Sequence, residues 1–170
     1  MIRSHKSVWV TTLLLTLSFI ITLLLPGQAN AKNTGNQNPQ LQQQELEGYY
    51  FAAARNGNLD VMTAFLDAGI PVDHRNVQSY TPLMIAAYNG QLAMVDLLLS
   101  RGANACLQDK RGNTALMGAI FKVELSIAKR LINTDCDHKI TNQQGENALS
   151  FADLYQRQEI SELLHSPASH

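Results

Sequence analysis

Apolar residues are distributed along this chain in two different ways. Val8–Leu25 is an almost unbroken apolar run, whereas between Glu45 and His165 they come in short bursts separated by Gly, Asn and Asp. In "TPLMIAAYNG", Thr81–Gly90, Leu83 and Ala86–Ala87 make a small apolar helix face. In "QLAMVDLLLSRGANA", Gln91–Ala105, Leu92, Val95, Leu98 and Leu99 fall at i, i+3, i+6 and i+7, one stripe of a second helix. Thr81 suits the N-cap and Pro82 the first helical position, where a missing N–H costs nothing. Gly90 supplies the turn between the helices, and Gly102 ends the second in the left-handed conformation. Neither helix would be stable alone, because isolated helices below about 12–15 residues are marginal in water.

The same pattern recurs with a period of 33 residues: Thr81-Pro82-Leu83 returns as Thr114-Ala115-Leu116 and again as Asn147-Ala148-Leu149. Ala53, Ala86, Ala119 and Ala152 form one column; Met62, Val95, Ala128 and Ser161 a second; Phe65, Leu98, Leu131 and Leu164 a third. Gly57 matches Gly90, Gly69 matches Gly102, and Gly112 matches Gly145. Agreement across several columns marks a repeat array, in which each unit buries its apolar side only by stacking on the next. The units run over about 45–75, 76–108, 109–141 and 142–165, leaving 166–170 as a C-terminal tail. The polar, turn-rich stretch before each Gly-x-Thr suits a projecting hairpin.

These residues resemble the ankyrin repeat, most clearly in "SYTPLMIAAYNGQLAMVDLLLSRGANA", then in "RGNTALMGAIFKVELSIAKRLI" and "QGENALSFADLYQRQEISELL", with a degenerate first unit. The resemblance implies an all-α solenoid of about four helix-turn-helix repeats with connecting hairpin loops. Met84, Met117 and Ser150 stand where the family usually has histidine, so apolar packing is expected to replace the usual Thr–His hydrogen bonding. Val123 occupies the column of Gly90; a β-branched residue is poorly suited to positive φ, so the third repeat is expected to turn differently there. Asp135 replaces Gly102, a tolerable exchange because Asp visits the left-handed region more easily. Arg157, Gln158, Glu159, Ser161 and Glu162 give the last outer helix the polar surface of a terminal cap.

The flanking segments bear on location. Arg3 and Lys6, the apolar run, the breakers Pro26-Gly27 and the small residues of Ala29-Asn30-Ala31 are the parts of a secretory signal peptide spanning 1–31, with cleavage after Ala31. The competing reading is a retained anchor, since a run of about 18 apolar residues is where a spanning helix becomes possible. Residues 32–44, rich in Asn and Gln, have little to bury and read as a disordered linker whose end stiffens into the first helix. With 13 basic and 14 acidic residues there is no basic face for nucleic acid. Cys106 and Cys136 are the only cysteines. Equivalent positions in stacked repeats lie about 10 Å apart, beyond the reach of roughly 7 Å between paired Cα atoms, so packed thiols are favoured over a bond; the three-residue offset between them shifts this in either direction.

No catalytic, cofactor or metal site emerges. His5, His74, His138, His165 and His170 form no ligand pair at i, i+3 or i+4, and neither a phosphate-binding Gly-rich loop nor a G-x-S-x-G turn occurs. Met62, Met84, Met94 and Met117 read as core filler rather than peroxide scavengers. What remains is a binding surface. The resemblance implies that a protein partner meets the hairpin tips and inner helices: Arg55 with Asn56; Val77, Gln78, Tyr80, Tyr88 and Asn89; Lys110, Arg111, Asn113, Phe121 and Lys122; Tyr155 with Gln143, Gln144 and Glu146. Aromatic residues and Arg are the types most enriched in binding hot spots.

The export signal on a small array resembles the short periplasmic ankyrin proteins of Gram-negative bacteria, some of which are encoded beside catalase genes and associated with peroxide resistance. The expectation is therefore a periplasmic, monomeric, non-enzymatic module that binds another protein, needs no cofactor, and touches neither nucleic acid nor membrane once its signal is cleaved. It would support or scaffold an exported enzyme. The alternatives are an immunity protein that blocks a toxin and a membrane-tethered adaptor.

Overall fold

The computed structural model describes residues 38–165. The expected signal peptide, its cleavage site, the linker over 32–37 and the tail 166–170 lie outside the described residues. Among the described residues there are eight helices and no strand: α1 (Pro39–Asn56), α2 (Leu59–Asp67), α3 (Pro82–Tyr88), α4 (Leu92–Ser100), α5 (Ala115–Lys122), α6 (Leu125–Ile132), α7 (Ala148–Leu154) and α8 (Gln158–His165). They stack as an all-α solenoid. The inner helices α3, α5 and α7 pack in series, and α2, α4, α6 and α8 form an outer row.

The inner helices start where side-chain caps allow. Thr81 Oγ1 accepts the Met84 N–H at 3.3 Å, Thr114 Oγ1 accepts the Met117 N–H at 3.4 Å, and Asn147 Oδ1 accepts the Ser150 N–H at 2.9 Å. Each satisfies an amide that the helix itself leaves unpaired. Met84 and Met117 are buried, so apolar packing does stand in the histidine positions of repeats two and three. Ser150 differs: its hydroxyl accepts the Asn147 N–H at 2.8 Å and completes a capping box. In the first unit the position equivalent to these caps, Gly48, lies inside α1, which begins at Pro39, within the expected linker.

The core is a spine of small and branched residues. Ala86, Ala119 and Ala152 are fully buried and let successive inner helices approach closely, while Met62, Val95 and Ala128 fill the space to the outer row, with Leu98 and Leu131 beside them. All four methionines named as filler are buried. At the N-terminal end the Tyr50 ring is buried against Phe51 and Phe65, and its hydroxyl donates to the Pro71 carbonyl at 3.1 Å. Burial, helped by the negative charge of Asp73, pushes the Tyr50 phenol up to about 12.

Two expectations about turns need correction. The third repeat does not turn differently at Val123: this valine takes the left-handed conformation at φ 65°, as do Gly57, Gly90 and Gln156 in the same column. The reason is a backbone bond common to all four repeats. Asn58, Gln91, Glu124 and Arg157 each donate their N–H to the carbonyl of the column alanine, Ala53, Ala86, Ala119 and Ala152. Closing that bond requires one left-handed residue, and stacking imposes it whatever the residue type. Asp135, conversely, is not among the left-handed residues, whereas Gly69 and Gly102 are, at φ 88° and 85°. Behind those glycines, Ile70 donates to the Phe65 carbonyl and Ala103 to the Leu98 carbonyl. After α6 the free carbonyls are met otherwise: Leu131 O accepts the Thr134 hydroxyl at 2.7 Å, and Ile132 O lies 2.9 Å from His138 Nε2.

That altered exit from α6 accompanies the third correction. Cys106 and Cys136 form a disulfide, with Cα atoms 5.2 Å apart and a sequence separation of 30. The inter-repeat distance holds for residues in register. Cys136 stands three residues short of the register of Cys106, in the segment that leaves the repeat geometry, and there the chain closes the gap. The bond ties the second repeat to the third.

Candidate functional site

The hairpins are three copies of one turn. Asn76, Asp109 and Asn142 lie one period apart, and the Oδ1 of each accepts two backbone N–H groups, two and four residues on: Gln78 and Tyr80, Arg111 and Asn113, Gln144 and Glu146. Such side-chain turns let Asn and Asp substitute for backbone pairing. Neighbouring hairpins are then bonded to each other. Lys110 N–H donates to Gln78 O, Gln143 N–H to Arg111 O, and Asn142 Nδ2 to Asn113 Oδ1 at 3.0 Å. At Gly112 they come so close that an added Cβ would stand 2.8 Å from Asn142 Cα; with φ at 83°, only glycine fits comfortably.

Against this row of hairpins the inner helices present an aromatic wall. Tyr88, at the end of α3, stacks on Phe121 of α5 with ring centres 6.1 Å apart and planes 12° off parallel. Phe121 meets Tyr155 edge-on at 5.1 Å, and Tyr155 leans on Phe151 at 4.9 Å. Lys122 Nζ lies 5.0 Å from the Tyr88 ring centre, within cation–π range. Tyr88 and Phe121 remain 44% and 41% exposed, large values for aromatic groups stacked in a row.

Between hairpins and wall lies a groove of about 620 Å³. Of the residues expected to bind a partner, Arg55, Gln78, Tyr80, Tyr88, Asn89, Arg111, Asn113, Phe121 and Tyr155 line it. Lys110 and Lys122 border it in the chain, beside Arg111 and Phe121, without lining it. Val77 is not in the lining either and stands 72% exposed on its hairpin. The groove also contains residues the sequence reading did not assign to it: Asn76 and Asp109 from the turns, Thr114 from the cap, and Met84, Ile85, Met117, Gly118 and Phe151 from the helices. A signal for several was present. Met84 and Met117 precede Tyr88 and Phe121 by one helical turn, and Asn76 and Asp109 repeat at the period.

The electrostatics separate the two sides of the array. Among the described residues, three ion pairs bridge successive repeats along the outer row: Asp67–Arg101 at 2.7 Å, Asp96–Arg130 at 2.7 Å and Glu159–Lys129 at 2.8 Å. A fourth contact, His74 to Glu47, lies at the N-terminal end at 3.7 Å. Arg55, Lys110, Arg111 and Lys122 enter none of them. Among the described residues, no three His, Cys, Asp or Glu side chains converge as a metal-binding group.

The family model for ankyrin repeats (3 copies) matches residues 17–109, more than half of the chain. Comparison with curated proteins gives no match. The match stops at Asp109, yet α5–α8 continue the same caps, alanine column and hairpin bonds. Repeats of this family are protein–protein interaction modules, and a preformed groove walled by aromatic side chains is what such a module presents. Period, stacked helix pairs and family match agree: the chain belongs to the ankyrin-repeat family.

Proposed function

We propose that this chain is an exported, non-enzymatic adaptor that holds one protein partner in the groove, as a monomer in the periplasm of a Gram-negative cell. There it would support an exported enzyme, such as one acting in peroxide defence. The observation that carries the reading is the groove itself, whose aromatic wall stays exposed and whose cations enter no ion pair within the described fold. Among the described residues its one lining carboxylate, Asp109, takes part in building a turn. Export is supported by the signal-like N-terminus and by the Cys106–Cys136 bond, since disulfides persist in oxidising compartments and are rare in reducing ones.

The test is capture of partners from periplasmic extract by the wild type and by Tyr88→Ala/Phe121→Ala. Tyr80 is a poorer control because its ring packs on the core. A partner kept by the wild type and lost by the folded variant is expected; a folded variant that keeps every partner would show that the groove is not the binding surface. Mass spectrometry of the exported protein should find Lys32 as the first residue, and a retained N-terminus would favour a membrane-tethered adaptor instead. A toxin-blocking immunity protein is the second reading. It is favoured by the disulfide, which preorganises the two repeats that carry most of the groove and so lowers the ordering cost of tight binding. Slow dissociation from a toxin would distinguish it from a scaffold.

A further inference from the structure

We infer that the groove receives an extended acidic segment of its protein partner, anchored by one apolar side chain in a notch over Gly118. This rests on the groove being a protein-binding surface and adds what kind of chain it takes. Gly118 lies in the middle of α5, in the column of Ile85 and Phe151, both buried apolar residues. Nothing in the fold requires glycine there. Its φ is not positive, and a Cβ would sit 3.9 Å from the nearest atoms of Tyr88, an ordinary contact. Glycine is the poorest helix former after proline, so the position carries a helix penalty that the architecture does not explain. What the missing side chain does is leave the groove floor open between the Ile85 and Phe151 positions, alongside Tyr88.

Charge complementarity supplies the rest. Arg55 and Arg111 are exposed and line the groove, while Lys110 and Lys122 flank it. The Asp109 carboxylate accepts the N–H groups of Arg111 and Asn113 and, among the described residues, forms no ion pair with a groove cation. Along the outer row Arg101, Lys129 and Arg130 each have a carboxylate partner. Cations left without one among the described residues, beside an apolar notch, fit a segment that alternates carboxylates with a small number of apolar side chains.

The probe is a short synthetic peptide of alternating glutamate and serine with one central leucine, fluorescently labelled, followed by anisotropy with protein expressed from the full chain. It should bind, and bind less well as salt is raised. Replacing its glutamates by lysine, or its leucine by serine, should each weaken binding about tenfold or more. Arg111→Glu should cost about tenfold. Gly118→Leu should cost about thirtyfold, on the scale of a hot-spot loss, while helix content and urea midpoint stay level or rise. If Gly118→Leu fails to fold, Gly118→Ala, for which the clearance to Tyr88 leaves room, should fold and weaken binding by a smaller factor. The inference is overturned if the acidic peptide does not bind, if the lysine peptide binds as tightly, if a folded Gly118 variant binds unchanged, or if an oligonucleotide displaces the peptide. A natural partner that is lost in Tyr88→Ala/Phe121→Ala but indifferent to Arg111→Glu and Gly118→Leu would refute the acidic segment alone and leave the interaction surface standing.

Discussion

Breaking the Cys106–Cys136 bond should be among the most damaging changes that leave the helices themselves untouched. The two residues are separated by 30 positions. In the chain-entropy treatment, ΔS is about −2.1 − 1.5R ln n, which for a loop of this length is about −12 cal/mol/K, or about 3.6 kcal/mol at 25 °C. That is a large share of the 5–15 kcal/mol or so that typically holds a domain folded. The structure also says where the loss would be felt. The bond joins repeats two and three, which meet through α3 against α5 and α4 against α6, so its removal should loosen the centre of the stack rather than an end. The assay is urea unfolding of the wild type, with and without reductant, and of Cys106→Ser/Cys136→Ser. With m near 2 kcal/mol/M, the midpoint should fall by about 1.8 M on reduction, and the double variant should start at the lower midpoint and ignore reductant. The native oxidised protein should show no thiol to Ellman's reagent. Two titratable thiols, or a midpoint that does not move on reduction, would refute the reasoning.

Other consequences can be checked in the same way. Val123→Gly should raise stability by about 1 kcal/mol, because the left-handed conformation costs an L residue roughly 1–2 kcal/mol and the valine side chain is largely exposed; a lower urea midpoint would contradict this. Gly112→Ala should destabilise by about 2 kcal/mol, combining a positive φ with a Cβ against the Asn142 backbone, and amide exchange should quicken in the second and third hairpins; unchanged exchange there would count against the close approach. Tyr50 has its phenol raised from about 10 in the unfolded chain to about 12 in the fold, so its contribution is fully present below pH 10 or so and is lost as pH rises through about 12. Urea midpoints should therefore decline in that window for the wild type and decline less for Tyr50→Phe; identical declines would mean that another group is responsible.

Much of the architecture was legible because it repeats. Thr81, Thr114 and Asn147 cap their helices for reasons local to a few residues, and the alanine column reads as close helix contact because a small apolar side chain recurs at one register position in all four repeats. The groove was legible in part for the same reason. Tyr88 and Phe121 share a register position, so placing one places the other. Ile85, Gly118 and Phe151 escaped notice although they also share a register, because a column of unlike residues gives no periodic signal, and a cavity is defined by what a side chain leaves empty. Asp109 was hidden differently. Its turn is local, but only the fold shows that it lines the groove and that, among the described residues, it and the neighbouring cations form no ion pair.

By itself the sequence determined the period, the helix pairs, the caps and hence the family, since each follows from bonds between residues within one turn or one repeat of each other. Only the tertiary structure decided three things. Val123 is driven into a glycine conformation because the bond from Glu124 to the Ala119 carbonyl belongs to a stack that every repeat must match. Cys136 reaches Cys106 because the chain leaves that match after α6, and a distance across repeats depends on the path taken rather than on register. The opening over Gly118 exists because the side chains around it come from three repeats, and a space bounded by distant parts of the chain is a property of their packing.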